Sequence, residues 1–180
     1  EPVHLLWINL ITDTFPALAL GMEKAEADIM KRKPRDANEG VFSGGLGFDV
    51  AYQGILISAL VIISYGFGHM FETGAFGFGG SAHGTTMAFL TLSMAEIFHS
   101  FNLRSREKSL FKIKGMNKML NIAAIVSLAL TTAVCEIPVL ASAFDFTAVG
   151  AREYATAALL GFCVIPVVEV VKLIRRQKNK

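Results

Sequence analysis

Gly54-Ile55-Leu56-Ile57-Ser58-Ala59-Leu60-Val61-Ile62-Ile63 is the stretch that decides the fold. Apolar side chains fall on odd and even positions alike, so the two-residue alternation of a barrel strand is missing and the run reads as helix. Working outward, it extends over residues 48–67, close to the roughly 20 residues that cross the hydrocarbon core of a bilayer. Four more blocks of this kind occupy residues 3–20, 86–101, 120–141 and 155–174. Hydrophobic residues make up 53% of the chain, charged residues 18%, and the mean hydropathy is +0.49, too apolar for a soluble domain of 180 residues. The expected fold is an all-α membrane protein, a single domain of five transmembrane helices.

Cationic residues set the expected orientation, because Lys and Arg in short loops favour the cytosolic side. With five spans, one side receives Lys24, Lys31, Arg32, Lys33 and Arg35, then Arg104, Arg106, Lys108, Lys112, Lys114 and Lys118, then Lys172, Arg175, Arg176, Lys178 and Lys180. The other side receives only Arg152. The N-terminus is therefore expected outside and the C-terminus in the cytosol. Glu1-Pro2-Val3 offers neither an initiator Met nor a basic leader, so the chain is read as a segment of something longer.

Within the first block, Asn9-Leu10-Ile11-Thr12-Asp13 places an amide, a hydroxyl and a carboxylate where apolar residues are expected. An ionisable group at that depth is a functional-site candidate by default. Spacings of three and four put Asn9, Thr12 and Asp13 on one helical face. Pro16 has no N–H for the carbonyl of Thr12, so the helix is expected to kink or unwind there. Amide, hydroxyl, carboxylate and freed carbonyl form an all-oxygen set, suited to hard cations and unsuited to zinc or copper.

The third block offers a partner. Ser93, Glu96, His99 and Ser100 are spaced to share a face, with Glu96 well inside the apolar run. Two intramembrane carboxylates on separate helices coexist by sharing a cation or by holding protons, and the second case would be helix–helix hydrogen bonding alone.

Pro2-Val3-His4-Leu5-Leu6-Trp7-Ile8-Asn9-Leu10-Ile11-Thr12-Asp13, then Pro16-Ala17-Leu18-Ala19-Leu20-Gly21 and Asp28-Ile29-Met30, resembles the sixth transmembrane helix and following loop of P-type calcium-transporting ATPases of the sarcoplasmic-reticulum-like class. Glu96 with Asn102, and later Ser109-Leu110, is similar to the eighth helix and its exit. The five spans then correspond to helices six to ten. The resemblance implies that Asn9, Thr12, Asp13 and Glu96 are metal ligands, with calcium as the transported ion and ATP and magnesium used only by the full-length parent. It also implies partners: the preceding helices and cytoplasmic domains of the same chain, together with membrane lipids. The expected location is multi-pass in a bacterial-type plasma membrane. Thr14 stands where many relatives have Gly, and Glu23-Lys24-Ala25-Glu26-Ala27-Asp28 replaces a more proline-rich stretch, which leaves manganese open as the cargo. The family's phosphorylated Asp-Lys-Thr-Gly motif is absent from these residues. An ATP-independent small transporter or channel unit is the alternative reading.

Other features carry less. The basic loop at residues 23–40 reads as positive-inside anchoring, or by resemblance as a contact for the phosphorylation domain. Cations that flank membrane spans without interleaved aromatics argue against nucleic acid as a partner. Gly74-Ala75-Phe76-Gly77-Phe78-Gly79-Gly80 lacks the Lys-Ser/Thr of a phosphate loop and reads as a flexible turn. Cys135 and Cys163 read as small core residues, Glu136 and Glu169 as interfacial or bundle contacts, and the four histidines show no zinc spacing.

Overall fold

The computed structural model describes residues 2–25, 29–31, 34, 39–113 and 115–178. Asp28 and the cations Arg32, Lys33, Arg35, Lys114 and Lys180 of the sequence reading lie outside them. Among the described residues every regular element is helical. The long elements are α1 (Pro2–Gly21), α2 (Leu46–Thr73), α3 (Ala82–Asn102) and α4 (Lys118–Glu136). A short α5 (Pro138–Ala143) follows, then α6 (Ala151–Phe162) and α7 (Val164–Lys178). By length and composition four helices can cross a membrane: α1, α2, α4, and α6 with α7 taken together over Ala151–Gln177. The chain is an integral, multi-pass membrane bundle.

Proline explains two breaks. Pro138 confines Ile137 to an extended conformation (φ −81°, ψ 116°), so the fourth apolar block stops being one helix at Glu136 and restarts as α5. Pro166 cannot donate to the carbonyl of Phe162, and the fifth block is interrupted at Cys163 between α6 and α7.

The fifth long helix, α3, is the axis of the molecule. It touches α1, α2, α4, α6 and α7. Met87, Leu90, Met94 and Ile97 are fully enclosed, and so are Thr86, Thr91 and Ser93. A helix surrounded by protein can carry polar groups that a lipid-facing helix cannot, provided its neighbours satisfy them. Thr91 donates to Ser64 Oγ at 2.7 Å, and Ser64 in turn donates to the Met87 carbonyl at 3.1 Å, a relay between α3 and α2.

Backbones meet where side chains vanish. A Cβ on Gly68 of α2 would lie 2.6 Å from the Cα of Gly84 in α3, and one on Gly161 of α6 would lie 3.0 Å from the Cβ of Met94. Small residues at these crossings permit the close packing that drives helix association in lipid, where apolar burial offers little. The glycine-rich turn between α2 and α3 is docked rather than loose. Phe76 lies against Gly66, Tyr65 donates to the Gly79 carbonyl at 2.7 Å, and the Phe67 and Phe76 rings meet edge to face. Cys135 is core as expected, whereas Cys163 is exposed at the break.

Candidate functional site

Residues Ile8–Asp13 of α1 form a widened helical turn with hydrogen bonds spaced five residues apart, flanked by ordinary helix over Pro2–Trp7 and Thr14–Gly21. Such a turn inserts about one extra residue and marks functional sites more often than chance. The expected distortion at Pro16 is thus absorbed on its N-terminal side. Side chains and a neighbouring helix secure it: Thr14 Oγ1 donates to the Asn9 carbonyl at 2.7 Å, Thr12 Oγ1 lies 2.9 Å from the Ile8 carbonyl, and Ser127 Oγ of α4 donates to the Ile11 carbonyl at 2.8 Å.

Thr12 is 1% exposed, and its hydroxyl also lies 2.7 Å from Glu96 Oε2. A hydroxyl has one hydrogen, so only one of the carbonyl of Ile8 and the carboxylate of Glu96 receives it at a time. This contact joins the first and third spans, the pair that sequence spacing singled out. Asp13 is within electrostatic reach of Glu96. Asn9 and Asp13 lie on the exposed side of α1 in this chain, while Thr12 turns inward. Reading the three on one face assumed an ordinary helix; across the widened turn Thr12 is buried while Asn9 and Asp13 are exposed. Ser93, one turn before Glu96, is fully buried with an unpartnered hydroxyl, as is Thr131 of α4. Among the described residues no group of three or more His, Cys, Asp or Glu side chains is clustered for a metal, so any cation here would rely on amide, hydroxyl and carbonyl oxygens beside the two carboxylates.

The basic end of the bundle is held by specific ties rather than by solvated charge alone. Arg104 grips Glu23 with two hydrogen bonds, 3.0 Å from Nε to Oε2 and 2.9 Å from Nη2 to Oε1. Asn117 donates to Glu23 Oε2 at 2.8 Å and to the Ala19 carbonyl at 2.9 Å, so the C-terminal end of α1 is fixed to the start of α4. The Arg104 hydrogen bonds hold the Glu23 carboxyl below its ordinary value of 4.5, against a smaller opposing effect of burial. Asp49 at the start of α2 pairs with Arg106 at 2.9 Å and Arg175 of α7 at 2.5 Å. Lys172, 5% exposed, donates to the Asn102 carbonyl at the end of α3 at 2.8 Å. Glu169 accepts from the Leu110 amide at 2.9 Å, a bundle contact as expected, while Glu136 is exposed.

Sequence reasoning did not reach Ser127. A lone serine in an apolar block reads as ordinary glue, and only the missing N–H of Pro16 signals that a nearby carbonyl needs an outside donor.

A family model described as the C-terminus of cation transporting ATPases matches residues 1–174. The chain is 38% identical over 187 positions to calcium-transporting ATPase 1 of Bacillus cereus, covering 98% of this chain and 21% of that protein. It is 35% identical over 176 positions to a calcium-transporting ATPase of Listeria monocytogenes, covering 97% and 19%. An endoplasmic reticulum-type calcium-transporting ATPase of Arabidopsis thaliana is 27% identical over 198 positions, covering 97% and 20%. The chain spans about a fifth of the length of these curated relatives.

Proposed function

The chain belongs to the cation-transporting ATPases as the C-terminal membrane part of such a pump, and from that premise we propose that it contributes half of a calcium-binding site to an ATP-driven pump. Asn9, Thr12, Asp13 and Glu96 are the ligands in this reading, and calcium is the cargo. The observation that carries it is the Thr12–Glu96 contact, which draws α1 and α3 together at the widened turn. Asn9 and Asp13 face outward beside it, where a polar face in lipid demands cover. Helices earlier in the full-length protein supply that cover and the remaining ligands, and its cytosolic domains supply ATP hydrolysis with magnesium. The basic end is the cytosolic one, and for a bacterial protein the membrane is the plasma membrane. Membrane lipids contact the apolar outer faces, among them Ile55 and Ile62 of α2. That these relatives are named calcium-transporting ATPases supports this reading, and the alternative of an ATP-independent unit has no counterpart among the relatives named above.

The chemistry follows from the donors. Carboxylates at Asp13 and Glu96 supply charge, while Thr12 and Asn9 supply neutral oxygens that complete a shell of six to eight at 2.3–2.6 Å for calcium in general. Without a cation the two acids would have to take up protons, so ion release and proton uptake are coupled by electrostatics. The test is calcium-stimulated ATP hydrolysis and vesicle uptake by the full-length pump, wild type against Asp13→Asn, with manganese run in parallel. Loss of both activities in the variant supports the reading; unchanged calcium dependence overturns it.

A further inference from the structure

The Ile11 carbonyl sits inside the widened turn, five residues before Pro16. The five-residue spacing ends at Asp13 and ordinary helix resumes at Thr14, so this carbonyl lies where the two spacings meet. A side-chain donor reaches it from another helix: Ser127 Oγ, at 2.8 Å, from a serine that is fully buried. An unsatisfied carbonyl in the bundle interior would favour rewinding to ordinary helix or letting water in. Ile11 is the residue immediately before Thr12, so a rewound turn would swing Thr12 relative to Glu96 and carry Asn9 and Asp13 with it.

We propose that Ser127 is a positioning residue for the cation site: by donating to the Ile11 carbonyl, it holds the widened turn in the shape that sets Thr12 against Glu96, with Asn9 and Asp13 on the outer side of the same turn. The inference rests on the reading that these four residues bind the transported cation. Its own hydroxyl hydrogen is committed to Ile11, and α4 contributes none of the four ligands. The arrangement divides labour between two helices, one bearing the donors and one fixing their geometry.

The experiment is a double-mutant cycle in the full-length pump, with the half-saturating calcium concentration and the maximal ATPase rate read separately. A single buried hydrogen bond corresponds to about a three- to tenfold change in an equilibrium constant. Ser127→Ala is therefore expected to raise half-saturating calcium by that factor while the maximal rate changes less than about twofold, and Ser127→Thr is expected to restore the wild-type value. In a Thr12→Val background Ser127→Ala should matter much less, the non-additivity expected if Ser127 acts through the Thr12–Glu96 contact. Unchanged calcium dependence in Ser127→Ala, or a full effect that persists beside Thr12→Val, overturns the proposal. If Ser127→Ala does not fold, the calcium dependence of Ser127→Thr decides: a wild-type value supports the hydroxyl's role, and a shifted one overturns it. Asp13→Asn as a control separates the two ideas. Should Asp13→Asn leave calcium dependence intact, the site reading fails; should it abolish it while Ser127→Ala does nothing, only the positioning role fails.

Discussion

α2 and α3 lie side by side, and they solve opposite problems. α2 turns Phe48, Ile55 and Ile62 outward and keeps few buried residues, mainly Asp49 and the small Ser64, Gly66 and Gly68 on the side that meets the bundle. α3 buries most of its length and is rich in Thr, Ser and His, with Glu96 part way along. Mean hydropathy singles out α2, whereas α3, although its core at residues 86–101 reads as an apolar block, is absent from the helices apolar enough to cross by composition. Apolar character therefore reports contact with lipid, whereas the helix richest in buried polar groups is the one that its neighbours shield from lipid.

The largest effect that tests this contrast is at the site. If Glu96 is a ligand as proposed, Glu96→Gln in the full-length protein should lower the proposed calcium-stimulated ATPase by at least about 100-fold, since losing a buried ion's charged ligand costs several kcal/mol. An equally conservative change on the outer face of α2, Ile62→Leu, should leave it within about twofold. Comparable activity in the two variants would break the contrast.

Packing gives the next effect. Gly68→Leu drives a side chain into the Gly84 backbone and should destabilise the bundle by about 3 kcal/mol, the upper range for overpacking. Gly54→Leu, on the same helix, meets nothing within 4 Å and should shift stability by less than about 0.5 kcal/mol. Thermal unfolding in detergent with a common readout distinguishes them. Thr91→Val, which cuts the relay to Ser64, should cost about 1 kcal/mol in the same assay, the usual size of an interhelical hydrogen bond in a membrane protein.

The smallest effect concerns the basic end. Glu23 has its carboxyl held below 4.5 by Arg104, so its contribution to stability is complete above pH 4.5 and disappears as the pH falls through the lower folded value. Glu23→Gln should cost about 1 kcal/mol at pH 7, a figure reduced by the pair's partial contact with solvent. Unfolding midpoints of wild type and variant should converge as the pH drops from 6 toward 3. A gap that stays constant over that interval would show that the Arg104 pairing is not the source.

Much of this was legible in the residues. The continuous run from Gly54 to Ile63 gave a helix, and the pairing of residues around Asp13 with Glu96 anticipated the contact between α1 and α3. The shape of that contact was not legible, because a face drawn at 3.6 residues per turn cannot foresee a turn that adds a residue, nor that Thr12 is buried while Asn9 and Asp13 stay exposed. Long-range partners were also hidden. The basic residues Arg104, Arg106, Lys172 and Arg175 carry the composition of positive-inside loops, and only the fold reveals that each has a specific acid or carbonyl to hold. The turn at residues 74–80 shows the same limit: its glycines suggested looseness, while Phe76 and Tyr65 fasten it to α2.

The Gly68–Gly84 crossing has a practical consequence. With no side chain between the two backbones, there is no soft layer in which α2 could slip past α3, so displacement of one is passed to the other. A spectroscopic label placed on the lipid side of α2, at Ile62 for instance, would then act as an external pointer to movements of the buried helix, readable in intact membranes without disturbing a single residue of the core.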